Sequence, residues 1–237
     1  MASSIVILGA GPGLGRSVAA RFTREGYAAV LVGRRAENLA RIAADLPGRA
    51  VTLTADLGDT GALPDLIGRI RDEVGDPDVL YFASQPGGTN AGFTPAADLT
   101  PDAFPSYLAL ALYTPVAMVH AFLPAMLERG AGAVLVAQGM AAVRGLPGMS
   151  GPGPVLAAQR NYLQSLEAEV GPRGVFVGRL YIGAAIEGTP FHASRAEARA
   201  AGRPVAPFPD ADPVLLADML WTMREEGVHE RLYPAGA

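Results

Sequence analysis

The sequence predicts an α/β protein, a single doubly wound and mostly parallel sheet of about seven strands with helices on both faces. Two observations carry this. Short apolar runs alternate with helical patterns from one end to the other, and those runs are continuously apolar, as strands buried on both faces must be. Strands are expected at 4–8, 27–33, 50–55, 78–83, 132–137, 175–182 and 229–233. The first is the run Ile5-Val6-Ile7-Leu8, and the fourth follows Asp78 as Val79-Leu80-Tyr81-Phe82. Helices are expected at 14–25, 36–45, 60–74, 101–129, 154–170 and 212–226, separated by Gly26, Pro47-Gly48, Gly75, Gly130, Gly171-Pro172 and Gly227. Glycine and proline at those points end one element and start the next. No composition shift marks a boundary, so 1–237 reads as one domain. Two segments break the rhythm: 145–154, dense in Gly and Pro, and 183–210, which carries four Pro and is expected to be a mobile substrate loop. Both follow strands, where open α/β sheets place their ligands.

Composition excludes several chemistries. The chain has 237 residues, 50% of them hydrophobic, and a formal net charge of −4. All 19 basic residues are Arg and none is Lys, so no mechanism that needs a lysine amine can operate on these residues. There is no Cys, and His120, His192 and His229 are scattered, so no metal-ligand spacing exists. Arginines spread evenly over a slightly acidic chain argue against a nucleic-acid stripe and for a small-molecule partner. The N-terminus has no basic flank and too short an apolar run for a secretory signal. The stretch 103–127 is uncharged and long enough to cross a bilayer. Pro105, Pro115, Pro124 and His120 favour a buried or subunit-interface helix instead, so the expectation is a cytoplasmic protein with no membrane partner.

Directly after the first expected strand comes Gly9-Ala10-Gly11-Pro12-Gly13-Leu14-Gly15-Arg16, opening a helix. Glycine permits the tight turn and close backbone approach, and a helix N-terminus presents N–H groups to a pyrophosphate. The spacing that fits is G-x-x-x-G-x-G on Gly9, Gly13 and Gly15, not G-x-G-x-x-G; Pro12 brings no N–H. The second strand ends Val32-Gly33-Arg34-Arg35, with Arg where an acidic residue would bind the ribose hydroxyls. A guanidinium there favours a 2′-phosphate, hence NADP(H) over NAD. Asp56-Leu57, after the third strand, is placed to read an adenine edge, or Asp56 is a helix cap. The expected cofactor-binding residues are Gly9, Gly13, Leu14, Gly15, Arg34, Arg35, Asp56, Leu57 and Ala83.

Taken together, the glycine loop, the Arg pair, Asp56-Leu57, Asp78-Val79-Leu80, Pro147-Gly148-Met149-Ser150-Gly151 and the run Ser165 to Val170 before Gly174-Val175 resemble the short-chain dehydrogenase/reductase family along essentially the whole chain. The resemblance implies a Rossmann-type fold and hydride transfer assisted by an Asn, a Ser, a Tyr and a Lys. Those positions fall here on Ala111, Gly139, Pro152 and Leu156, and no shift of register supplies a Lys. Tyr81-Phe82-Ala83-Ser84 stands where the family usually has Asn-Asn-Ala-Gly, and Ile182-Gly183 replaces a Pro-Gly. Candidate substitutes are Gln138, Ser150, Arg160 and Tyr162, then Gln159, Tyr81, Tyr113, Tyr181 and His192. Each has a structural alternative: a salt bridge for Arg160, a turn for Ser150, core packing for Tyr113 and Tyr181, a solvated loop for His192.

Three functions follow as expectations. The first is an NADP(H)-dependent oxidoreductase with a non-standard proton donor, or one reducing an activated alkene or iminium. The second is a non-catalytic NADP-binding regulator or structural subunit. The third is a non-redox enzyme that uses the pocket as a shaped cavity. Self-association through helices 101–129 and 154–170, as the resemblance implies, predicts a homodimer or homotetramer.

Overall fold

Seven parallel strands build the central sheet of the computed structural model, which describes residues 3–83, 94–205 and 207–235. In chain order the elements are β1 (Ser4–Leu8), α1 (Leu14–Arg24), β2 (Ala28–Gly33), α2 (Ala36–Ala44), β3 (Ala50–Thr54), α3 (Leu63–Val74) and β4 (Val79–Phe82). There follow α4 (Phe104–Leu108), α5 (Thr114–Arg129), β5 (Gly132–Gly139), α6 (Gly153–Val170), β6 (Val175–Ile182), β7 (Ala185–Ile186), α7 (Pro190–Ala200), β8 (Asp210–Ala211), α8 (Pro213–Glu226) and β9 (Glu230–Tyr233). The sheet order is β3-β2-β1-β4-β5-β6-β9. Strand order therefore reverses at β1, which pairs with β2 on one side and β4 on the other. A crevice opens at such a reversal, beyond the carboxyl ends of the strands.

Strand residues alternate between two cores. Ile5, Ile7, Leu31, Tyr81, Leu135 and Leu180 pack under α1, α2 and α8. Val6, Leu8, Val30, Leu80, Val134 and Val177 pack under α3, α5 and α6. A third, smaller cluster of Tyr107, Ala111, Met140, Ala142, Val155, Leu156 and Tyr181 closes one end of the crevice. Burying each of these large apolar side chains contributes roughly 1.5–3 kcal/mol, which is why the strands tolerate almost no polar residue.

Two expectations are corrected. The segment 101–129 is not one regular helix: a 3-10 turn (Pro101–Ala103) leads into α4, a π turn (Ala109–Tyr113), then α5. Pro105 and Pro115 sit in the first turns of α4 and α5, where the missing N–H costs nothing. By length and composition Pro101–Arg129 is apolar enough to cross a membrane, while Met118, Val119, Phe122 and Met126 are buried against the sheet. The segment 183–210 is not a featureless loop either. It holds α7, capped by Thr189 accepting the His192 N–H at 3.2 Å, and β7, which pairs in parallel with β8. Arg195 is buried and ties the two ends together, donating to Asp210 at 2.9 Å and to the Phe208 carbonyl at 2.5 Å. Ser84, expected at the end of the fourth strand, lies outside the described residues.

Candidate functional site

The turn after β1 is built by sharing one acceptor. The N–H groups of Gly9 and Ala10 both donate to the Val32 carbonyl, at 3.1 and 2.9 Å, and Gly9 takes φ 99°, a conformation that favours glycine. The chain then enters α1 through Gly13. The Arg16 N–H donates to the Gly11 carbonyl at 3.0 Å, but among the described residues the N–H groups of Gly13, Leu14 and Gly15 have no acceptor. A Cβ at Gly15 would stand 3.1 Å from the Gly9 carbonyl oxygen and 3.2 Å from the Ala10 Cα, so glycine keeps the helix close to the strand. A Cβ at Gly11 would meet nothing nearer than 3.9 Å, leaving room in front of the loop. Unpaired N–H groups at a positive helix end suit a pyrophosphate.

A cleft of about 920 Å³ runs from this loop across the ends of β2, β4, β5 and β6. All nine residues expected to hold a cofactor line it. Arg34 and Arg35 stand exposed where β2 ends, and among the described residues neither makes an ion pair. Asp56 is not a helix cap: its Oδ1 accepts the Gly58 N–H at 2.9 Å, and Asp59 caps the short turn that follows. Leu57 is buried, its carbonyl accepting the Thr114 hydroxyl at 2.6 Å. Ala83 donates its N–H to the Leu8 carbonyl at 3.1 Å, which sets the floor of the cleft between β1 and β4.

At the far end the lining includes Tyr81, Tyr107, Gln138, Gly139, Met149 and Pro152. Gln138 is 4% exposed, and both polar atoms of its amide lack a hydrogen-bond partner. Leaving a buried amide unpaired costs about 1–3 kcal/mol, so the position is poised for a polar ligand. Tyr81 is fully buried, its hydroxyl unpartnered, and burial pushes its phenol well above the usual tyrosine range.

Over residues 3–200 the chain matches the model of the short chain dehydrogenases. It belongs to the short-chain dehydrogenase family. A relative from Bos taurus, dehydrogenase/reductase SDR family member 7B, is 33% identical over 178 residues, covering 70% of this chain and 53% of its own. The chain spans about half the length of the curated relatives it matches. Two solved structures share the fold. The short-chain dehydrogenase from Sphingobium yanoikuyae in complex with NADPH superposes with TM-score 0.80 at 22% identity, covering 99% of this chain and 89% of its own. The short-chain oxidoreductase from Pseudomonas aeruginosa PAO1, described as containing an atypical catalytic centre, gives 0.81 at 19% identity, covering 99% and 96%.

The four positions matched to the family's Asn, Ser, Tyr and Lys do not lie alike in this dehydrogenase-family chain. Gly139 and Pro152 line the cleft, whereas Ala111 and Leu156 are buried in the third cluster beside Tyr107. Of the proposed substitutes, the cleft takes only Gln138 and Tyr81. Arg160 points its guanidinium to Glu230 at 2.7 Å and over the Tyr181 ring at 5.5 Å, a salt bridge outside the cleft. Tyr162 packs against the second core, where burial and then Glu169 push its phenol up. Ser150 belongs to a turn, its N–H donating to the Thr94 carbonyl at 3.0 Å. His192 is on α7, 3.8 Å from Asp210. Tyr181 and Gln159 are buried, but Tyr113 is 53% exposed and not a core aromatic. Tyr107 was missed by sequence reasoning. The π turn at Ala109–Tyr113 shifts helical phase by about 100° per inserted residue, so the face of α4 cannot be read by extending α5 backwards. The available signal is a phenol inside an uncharged run, and Tyr113 in the same run shares it.

Proposed function

We propose that the protein is an NADP(H)-dependent oxidoreductase acting on a small organic substrate, with a proton-donor arrangement that differs from its family's Tyr and Lys. The observation that carries the reading is the exposed, unpaired Arg34–Arg35 at the end of β2, on the same cleft as an intact glycine cradle. Two guanidinium groups free of internal carboxylates are available to a 2′-phosphate. The N–H groups of Gly13, Leu14 and Gly15 would take the pyrophosphate, Asp56 and Leu57 would border the adenine, and Ala83 leaves backbone space beside them. When bound, the nicotinamide supplies or accepts hydride. The chain's own contribution is then to orient the substrate and manage its proton, and Gln138, buried with its amide unpaired, is placed to hold a carbonyl oxygen. The neighbouring protein solved with NADPH, and the one described with an atypical catalytic centre, support this reading by analogy.

A binding protein without turnover is the second reading, favoured by the absence of any lysine from the chain. One experiment separates them: fluorescence titration with NADPH and NADH, followed by a panel of aldehydes, ketones, imines and enones. The first reading expects NADPH to bind at least about tenfold tighter, roughly 1.4 kcal/mol, and to be oxidised. Binding without oxidation across the panel leaves the second. We also propose a cytoplasmic protein that forms a homodimer or homotetramer; the exposed Tyr113 and Val116 on the 101–129 segment support the self-association. Light scattering at micromolar concentration showing a monomer would refute it.

A further inference from the structure

We propose that Tyr107 is the proton donor to the substrate's carbonyl oxygen, delivering from α4 the proton that family resemblance would assign to the position of Pro152, just before α6. The inference rests on the oxidoreductase reading above and deepens it. Tyr107 lines the cleft, and it packs in one cluster with Ala111 and Leu156, the residues at the positions of the family's Asn and Lys. Its hydroxyl thus belongs to the end of the cleft where the reacting oxygen must lie. Among the described residues that hydroxyl makes no hydrogen bond, so it is free to donate to a ligand.

The other hydroxyls on the cleft fit worse. Thr189 is committed, donating to the Ile186 carbonyl at 2.6 Å and accepting the His192 N–H at 3.2 Å. Ser106 is exposed, and an aliphatic alcohol is a far weaker acid than a phenol of pKa about 10. Tyr81 lies across the sheet, in the core with Ile7, Leu135 and Ala137. Gln138 lines the same cleft from the end of β5, which leads directly into Met140 of the Tyr107 cluster, but it carries no acidic proton to give. Burial pushes the Tyr107 phenol up, so at neutral pH it carries the proton that a reduction consumes.

The step balances as follows. A hydride and its two electrons reach the carbonyl carbon, the C=O π pair moves to oxygen, and that oxygen takes the Tyr107 Oη proton. The tyrosinate recovers a proton from water, so aldehyde or ketone, NADPH and H⁺ give alcohol and NADP⁺. The surrounding Leu110, Met140, Leu146, Met149 and Phe191 assign a carbonyl with apolar substituents.

Tyr107→Phe tests this with NADPH and a panel of 4-nitrobenzaldehyde, acetophenone, benzil and cyclohexenone. The expected result is a kcat lower by about 10²- to 10⁴-fold, with the NADPH Kd nearly unchanged and the ketone KM raised only by the loss of one hydrogen bond, about 10-fold at most. A second readout needs no turnover: the infrared carbonyl band of the best ketone, ¹³C-labelled and bound with NADP⁺, should move to higher wavenumber in the variant as a hydrogen bond is lost. Full kcat in Tyr107→Phe, or an unmoved band, overturns the assignment while leaving the oxidoreductase reading intact. A parent protein that oxidises no NADPH with any probe overturns both.

Discussion

A Cβ placed on Gly13 would stand 2.7 Å from Cγ2 of Thr189, so the loop that opens α1 and the residue that caps α7 are in contact. Thr189 cannot easily retreat. Its hydroxyl holds the Ile186 carbonyl and the His192 N–H, and its branched side chain has few rotamers. The dinucleotide cradle and the 183–210 segment are therefore one mechanical unit. Gly13→Ala is expected to weaken dinucleotide binding and to release the α7 cap, which is worth about 0.5–2 kcal/mol. Calorimetric titration reads the first, and faster hydrogen exchange across 186–200 reads the second.

Arg34→Ser combined with Arg35→Ser separates phosphate recognition from general nucleotide binding. A hydrogen bond to a charged group contributes about 1.5–3 kcal/mol, so NADPH affinity should fall roughly 10- to 100-fold or more. NADH lacks the 2′-phosphate and should bind as before. Equal loss for both coenzymes would mean that the pair only shapes the loop. High salt should narrow the NADPH advantage in the parent, because both side chains are exposed.

How much of this was legible depends on where the information is local. The sheet and the glycine turn after β1 were legible because strand hydrophobicity and turn residues are short-range signals, and the nine residues expected to hold a cofactor line one cleft. Side-chain partners were not. Arg160 stands one turn beyond Leu156, but its partner Glu230 is 70 residues away on β9, and no spacing rule finds such a pair. The 183–210 segment looked irregular because four prolines mask α7. Pro190 in fact starts that helix, and buried Arg195, bonded to Asp210, organises the segment through a contact that only the fold creates.

Asp210 predicts the behaviour of that segment in acid. Burial opposes its ionisation, but Arg199, Arg195 and His192 outweigh it and hold the carboxyl below the usual carboxylate range. A depressed carboxyl pKa gives stability that is present above the unfolded value and is lost as pH falls through the folded one. The Arg195–Asp210 tie should therefore persist down to the ordinary Asp range, near 3.8, and loosen only below it. Hydrogen exchange over 190–211 as a function of pH checks this. Asp210→Asn should show the loosened pattern already at neutral pH, because it leaves the buried Arg195 without its carboxylate.

On the opposite limb of the pH profile Tyr81, the fully buried phenol of the cleft, contributes with a definite sign. Its folded phenol is raised by burial, while in the unfolded chain it ionises near the ordinary value of 10.0. Stability from this group is thus complete below pH 10 and declines as pH climbs toward the folded value, at about 1.4 kcal/mol per pH unit. Burial raises Tyr181, Tyr162 and Tyr107 as well, so Tyr81→Phe removes only its own share of that slope, together with a fully buried hydroxyl with no partner. Deleting an unpaired polar group without changing the ring is close to neutral or stabilising. The variant should match or exceed the parent in urea at pH 7, and its advantage should widen with every step above pH 10. A variant less stable than the parent by about 1 kcal/mol or more would show that the hydroxyl is bonded in solution, and that this part of the cleft is wetter than its surroundings imply.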